Sequence, residues 1–339
     1  MGSINFPVAS MFGTLSDVVG TKSGLALNRQ QLAELLGRDE RFQEFQALSD
    51  DGWVRIHSSL AEEMIEFLLF SVGRLERINN PLPIASLVHK YKKQPAKLKI
   101  VYALSEEFLD FLEKALSNPD LKPGDKIDPS PFMLKCLKEH GRLGLEISND
   151  LITNYAIQLE LKSWHLPNVS EWSDIAELND LFCSERLASQ YGRFFDQRYI
   201  DYLHRNFDHI DRINWRKFEG LTAEYFDRQG FQVDIGPGRN DDGIDVRVWP
   251  SKESPDSPPA IIVQCKRQKQ SIGKVIVKSL YADVVDAKAK SGLIVTTSRL
   301  SPGAKTVCAA RQYPIVDADR ATVQTWIAEM RKPGMGMAT

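Results

Sequence analysis

Glu219, Asp245, Gln264 and Lys266 lie in the C-terminal half of the chain, in the order helix, strand, next strand. Their types suit hydrolysis of a phosphodiester. Asp245 is a hard oxygen ligand, and magnesium keeps most of its waters while taking one or two carboxylates plus phosphate oxygens. Gln264 and Lys266 are two apart on a strand and so share a face, with Val263 and Cys265 on the other. The amide oxygen of Gln264 can ligate a cation or its water without bringing charge. Lys266 can orient or help deprotonate the attacking water, or stabilise charge on a phosphorane-like transition state. Glu219 borders an apolar helical stripe, where a carboxylate is costly to bury without a partner, and a cation or its hydration shell would serve as one.

The elements that must position these residues follow from periodicity. Phe218, Leu221, Tyr225 and Phe226 make a helical stripe ending at Gly230. FQVDI reads as a strand closed by the turn sequence GPGRNDDG. Ile244, Val246 and Val248 alternate with Asp245 and Arg247, as in a half-buried strand, and the Ser/Pro-rich SKESPDSPP separates it from AIIVQCK. Lys274 to Lys290 predicts a helix, Gly292 to Thr297 a strand, Pro302 to Arg311 a helix capped by Ser301, and Tyr313 to Val316 a last strand. This is an α/β (α+β) domain with a central mixed sheet flanked by helices. Residues 1 to 210 read as mainly α-helical. The helices run from Ser59 to Ile78, around Phe108 to Leu116, from Ser130-Pro131 to a stop at Gly141, from Asp174 to Tyr191 and from Gln197 to Asn206, with NPDLKPGDKIDPS as a linker.

The run FEGLTAEYFDRQGFQV, then DDGIDV, IIVQCKR and GLIVTTSRLSPGA, closely resembles the catalytic domain of Mrr-like (type IV) restriction endonucleases in the PD-(D/E)xK nuclease superfamily, over about residues 214 to 330. The resemblance implies a restriction-endonuclease-like fold and metal-dependent cleavage of DNA. Asp245, Gln264 and Lys266 would stand in the active site with Glu219 as the helix acid. It also implies a cation, Mg2+ with Mn2+ able to substitute, held by Asp245 and the backbone carbonyl of Cys265, with Glu219 and Gln264 as further ligands. Gln264 stands where the superfamily name has an acid. Arg267, Lys269, Thr297 and Arg299 are expected DNA contacts, Thr297 and Arg299 lying in TTSRLSPGA near a helix N-terminus.

Composition bounds the remaining classes. Residues 211 to 339 carry 20 Lys and Arg against 15 Asp and Glu, a net +5, and residues 1 to 210 carry 23 against 30, a net −7, so the C-terminal part is the one suited to a polyanion. Four cysteines without a C-x-x-C pair argue against a disulfide framework or a zinc knuckle, and no H-E-x-x-H is present. The start has no signal-peptide pattern and no apolar run reaches a membrane span, so cytoplasmic residence without membrane contact is expected. The expected division is a recognition or regulatory domain, 1–210, and a nuclease domain, 211–339, acting on DNA in restriction or anti-phage defence, as a dimer or higher homo-oligomer, with any regulatory protein or phage component unidentified. The alternatives are a repair or recombination nuclease, a DNA-binding module without catalysis, and an RNA nuclease. The lysines of HKYKKQPAKLK are a second candidate DNA contact, and HLPNVSE between Trp164 and Trp172 a candidate recognition loop.

Overall fold

The computed structural model describes residues 3–76, 78, 83–120, 126–162, 172–187, 189–238, 243–250, 256–331 and 337–338. Its two compact units are Met1–Ala176 with Pro333–Thr339, and Glu177–Lys332. The boundary falls upstream of the composition change at 210 because side chains bond the preceding helix to the later ones. Gln197 donates to the carbonyl of Met330 and accepts from Arg228.

The second unit is built on a five-stranded sheet. Its strands are β1 (Gln232–Ile235), β2 (Val246–Trp249), β3 (Ile261–Lys266), β4 (Ser291–Thr296) and β5 (Ile315–Ala318), in spatial order β5-β4-β3-β2-β1. β1, β2 and β3 pair antiparallel, and β3, β4 and β5 parallel, which makes the sheet mixed. The helices are α1 (Gln197–Arg205), α2 (Trp215–Arg228), α3 (Lys274–Asp286), α4 (Pro302–Arg311) and α5 (Arg320–Met330). Parallel neighbours need a crossover, and α3 and α4 supply the two. Both cover the sheet face of Ile262 and Ile294, in one core with Val277, Leu280 and Ala304. A Cβ on Gly292 would come within 3.0 Å of Leu280 and Val284, so α3 lies close on β4. On the opposite face Tyr225 of α2 stacks on Trp326 of α5 with centroids 4.2 Å apart.

In this unit the sequence reading needs correcting at three places. Asp174 to Tyr191 is not a helix: only Asp180–Cys183 makes a turn, preceded by the short strand Ala176–Glu177. Tertiary partners outcompete helical bonding there. Lys217 donates to the carbonyl of Arg186, the Asn214 amide to that of Leu181 and the Tyr199 hydroxyl to that of Glu177, and just downstream the Glu224 carboxylate accepts the amides of Arg193, Phe194 and Phe195. α3 stops at Asp286 rather than Lys290, with Lys288 at φ 52°. The last strand is followed by α5, absent from the sequence reading, which Asp319 caps by accepting the amide of Thr322.

The first unit is mainly helical. Ser3–Pro7 pairs antiparallel with Trp53–His57 beside the helices Val8–Ser23, Arg29–Leu36 and Ser58–Ser71. Helices Pro83–Tyr91, Pro95–Leu116 and Ser130–Lys162 close a second core around Val101, Leu104, Phe108, Phe132 and Leu151. Gly141 breaks the last of these at φ 61°, ψ −148°, the stop read from sequence, but helix resumes beyond it. The run Ser59 to Ile78 ends early at Ser71. In the lysine cluster, Lys90 is tied to Asp150 at 2.8 Å. Residues 164–171 of the candidate recognition loop, 239–242 of the turn before Asp245 and 251–255 of the Ser/Pro loop lie outside the described residues.

Candidate active site

Helix α2 sets the first carboxylate. Asn214 caps it, accepting the amide of Arg216 at 2.8 Å, and Phe218 and Leu221 point into the core. One residue on from Phe218, Glu219 is buried. Arg216, one turn earlier, donates to Glu219 Oε2 at 2.6 Å and to the carbonyl of Gly236 at 2.7 Å. Burial and then the adjacent charge of Asp245 push the Glu219 carboxyl up to about 8, against the pull of Arg216. Two carboxylates in contact in a buried place are unfavourable as a pair of anions.

Asp245 lies just before β2, where the antiparallel ladder opens. Its amide still donates to the carbonyl of Val263 at 3.0 Å, but its own carbonyl turns to β1, accepting from Gly236 at 2.8 Å. The carboxylate takes the vacated place on β3 and accepts the amide of Cys265 at 2.6 Å. The side chain is therefore fixed by the divergence of two strands. In an extended strand the amide and carbonyl of one residue point the same way, so the Cys265 carbonyl also lies on the Asp245 side.

Gln264 and Lys266 follow the alternation of Ile262, while Cys265 directs its sulfur to the hydroxyl of Thr222 on α2 at 3.6 Å. Burial pushes the Cys265 thiol up, so it is a neutral packing group at pH 7. Gln264 is buried and its Oε1 has no hydrogen-bond partner among the described residues. Such an orphan acceptor is rare in a protein interior. Gly243, at φ 83°, passes so close that a Cβ there would lie 3.1 Å from Gln264 Nε2. Lys266 is half-buried at the end of β3, and no ion pair among the described residues ties it to either carboxylate. The structure thus joins Glu219 to Asp245 and Asp245 to β3, with Gln264 and Lys266 next along that strand.

The residues read as DNA contacts divide. Lys269, Thr297 and Arg299 line a cleft of about 820 Å³ beyond the C-terminal ends of the parallel strands, with Arg205, Asp208 and Arg320 on its other wall. Lys269 and Arg299 are exposed. Thr297 is buried, and its hydroxyl accepts the Gln268 amide and donates to the Gln268 carbonyl, so it fastens a loop. Arg267 lies outside the cleft lining and donates to the carbonyl of Asp211 at 2.8 Å.

The donor set fits a divalent cation on two observations, the orphan Gln264 oxygen and the abutting carboxylates. Sequence reasoning missed Arg216, although its i,i+3 spacing from Glu219 was a usable signal. It also missed Gly243, which must be left-handed and leave room for Gln264. Gly243→Ala is expected to cost about 1–2 kcal/mol of backbone strain and to displace the Gln264 amide, lowering nuclease activity at least roughly tenfold, with a melting curve run alongside. A rate within twofold of wild type would remove Gln264 from the machinery.

Residues 210–327 match the family model Mrr_cat, described as restriction endonuclease. The uncharacterized protein y4cE of Sinorhizobium fredii (strain NBRC 101917 / NGR234) is 29% identical over 90 residues, which are 26% of this chain and 23% of that protein, so the chain spans less than a quarter of this relative. The MspJI restriction endonuclease, solved in complex with a 27-mer oligonucleotide, aligns at a TM-score of 0.28 and 15% identity over 59% of this chain and 46% of that one. The family match supports a nuclease and covers the helix and strands that bear all four polar residues: residues 210–327 form a restriction-endonuclease-like domain.

Proposed function

We propose that the C-terminal domain hydrolyses phosphodiester bonds of DNA with magnesium, for which manganese can substitute, and that the protein serves restriction or anti-phage defence in the cytoplasm. The observation that carries the chemistry is the pair Glu219 and Asp245 in contact, beside an acceptor on Gln264 that no group among the described residues satisfies. Asp245, Gln264, the carbonyl of Cys265 and Glu219 would hold the cation. Once bound, it would polarise a phosphoryl oxygen and make its water a better nucleophile at neutral pH. Asp245 is held in place by the Cys265 amide and needs no reorganisation. Lys266, with no carboxylate among the described residues claiming it, can orient the attacking water and meet the charge that builds on the phosphorus oxygens. Lys269 and Arg299 extend positive charge from that strand end along the cleft, which suits a flanking phosphodiester backbone.

One site of this kind cuts one strand, so a double-strand break calls for two copies, most simply a two-fold dimer. We assign residues 1–210 to recognition or regulation: their net charge of −7 is poorly suited to holding bulk DNA, and Lys90 is already engaged. The test is to incubate the purified chain with plasmid, methylated plasmid and RNA, with and without magnesium. Magnesium-dependent nicking or cutting of DNA is expected. Cleavage without any divalent cation, cleavage of RNA alone, or no cleavage of any substrate would overturn the reading.

A further inference from the structure

We propose that Arg216 is a positioning residue that sets both carboxylates and also holds the cation-free site near neutral, so that a divalent cation and nucleic-acid phosphate enter together. The proposal rests on the phosphodiesterase reading above. The guanidinium of Arg216 forks between Glu219 Oε2 and the carbonyl of Gly236, and the amide of Gly236 donates to the carbonyl of Asp245. One side chain therefore connects the helix acid, the turn after β1 and the strand acid. The fit is close: a Cβ on Gly238, at φ 83°, would lie 3.0 Å from Arg216 Nη1. Arg216 is itself largely buried, with 13% of its side chain exposed, so solvent screens its charge only weakly.

The charge count gives this geometry a consequence. Arg216 and Lys266 offset Glu219 and Asp245, and Gln264 adds nothing, so the five side chains carry no net negative charge. Of the four carboxylate oxygens, Glu219 Oε2 is taken by Arg216 and Asp245 Oδ2 by the Cys265 amide. Affinity for a hard cation rises with the number and charge of its oxygen ligands, and among the described residues this site is short of both. A phosphodiester supplies the missing charge and oxygens. Coupling of this kind is reciprocal: whatever factor DNA adds to cation affinity, the cation adds to DNA affinity. The benefit is a nuclease centre charged with its cation only when substrate is present.

Calorimetric titration of the full-length protein with Ca2+, an oxygen-seeking probe cation, tests this with and without a short DNA duplex. Wild type is expected to bind Ca2+ at least about tenfold more tightly with duplex present, and duplex more tightly with Ca2+ by the same factor. Arg216→Gln is expected to bind Ca2+ without DNA about tenfold more tightly than wild type, while its magnesium-dependent cleavage falls at least about tenfold. Arg216→Lys, which keeps the charge but not the fork, should keep weak Ca2+ binding and recover part of the cleavage. Should Arg216→Gln fail to fold, Gln264→Glu, which adds a negative charge and leaves Arg216 in place, must show the same tightening. Ca2+ affinity indifferent to DNA, or no tightening in these variants, overturns the proposal. Wild-type cleavage measured in the same series separates the two ideas: cleavage with uncoupled binding sinks the role of Arg216 alone, whereas no cleavage sinks the nuclease reading first.

Discussion

Asp245→Asn and Lys266→Ala are each expected to lower magnesium-dependent DNA cleavage about 10²- to 10³-fold, the roughly 3–4 kcal/mol that one pre-positioned electrostatic group contributes to a transition state. Asn is the informative replacement at 245. The carboxylate is buried and accepts the Cys265 amide, so Ala would leave that amide without a partner and confound chemistry with folding. An Asn side-chain oxygen can still accept it, and the lost quantity is charge. Lys266 has no ion pair among the described residues, so its removal should leave the melting temperature nearly unchanged. Initial cleavage rates with thermal melts on the same preparations make the comparison. A Lys266→Ala enzyme within tenfold of wild type would contradict the assignment, as would an Asp245→Asn enzyme that cuts normally.

The largest stability effect should come from a residue outside the site. Glu224 on α2 is buried and accepts three successive amides, from Arg193, Phe194 and Phe195, through Oε2, while Oε1 accepts Arg228 Nε at 2.8 Å. Glu224→Gln places an NH2 group or a neutral oxygen against those donors and leaves the Arg228 charge uncompensated. About 2–4 kcal/mol of destabilisation is expected. For a unit of this size that is roughly 4–16 °C in melting temperature. Asp227→Asn on the same helix is the control. Its partner Arg193 is 56% exposed, and such surface pairs contribute no more than about 1 kcal/mol. Equal melting temperatures for the two variants would show that the amide cluster around Glu224 does not hold the segment before α2.

That segment marks where local sequence stops being a guide. Residues 174 to 191 have helical periodicity, but their carbonyls at Glu177, Leu181 and Arg186 accept from Tyr199, Asn214 and Lys217, groups far along the chain, and a window of local residues cannot show that competition. The failure at α5 was of another kind. Asp319 is a recognisable cap and Val323, Trp326 and Ile327 are buried at helical spacing, so the signal was present and unread.

The sequence by itself determined the mixed sheet and the four polar positions, because strand alternation, turn residues and the order of acid, acid and Q-x-K are local patterns that survive without three-dimensional information. It placed Gln264 and Lys266 on one face through the two-residue period alone. Only the tertiary structure decided how these residues are brought together. The contact of Glu219 with Asp245, the capture of the Cys265 amide by the Asp245 carboxylate and the burial of an unsatisfied Gln264 oxygen all arise where β2 and β3 diverge and α2 packs against them. The role of Arg216 depends on the same packing, since a surface arginine three residues from a glutamate becomes a buried clamp only when the turn at Gly236 closes on it. Periodicity sets which face a side chain takes. Burial and contact between distant segments set its charge, its partners and its reactivity, and those are properties of the fold.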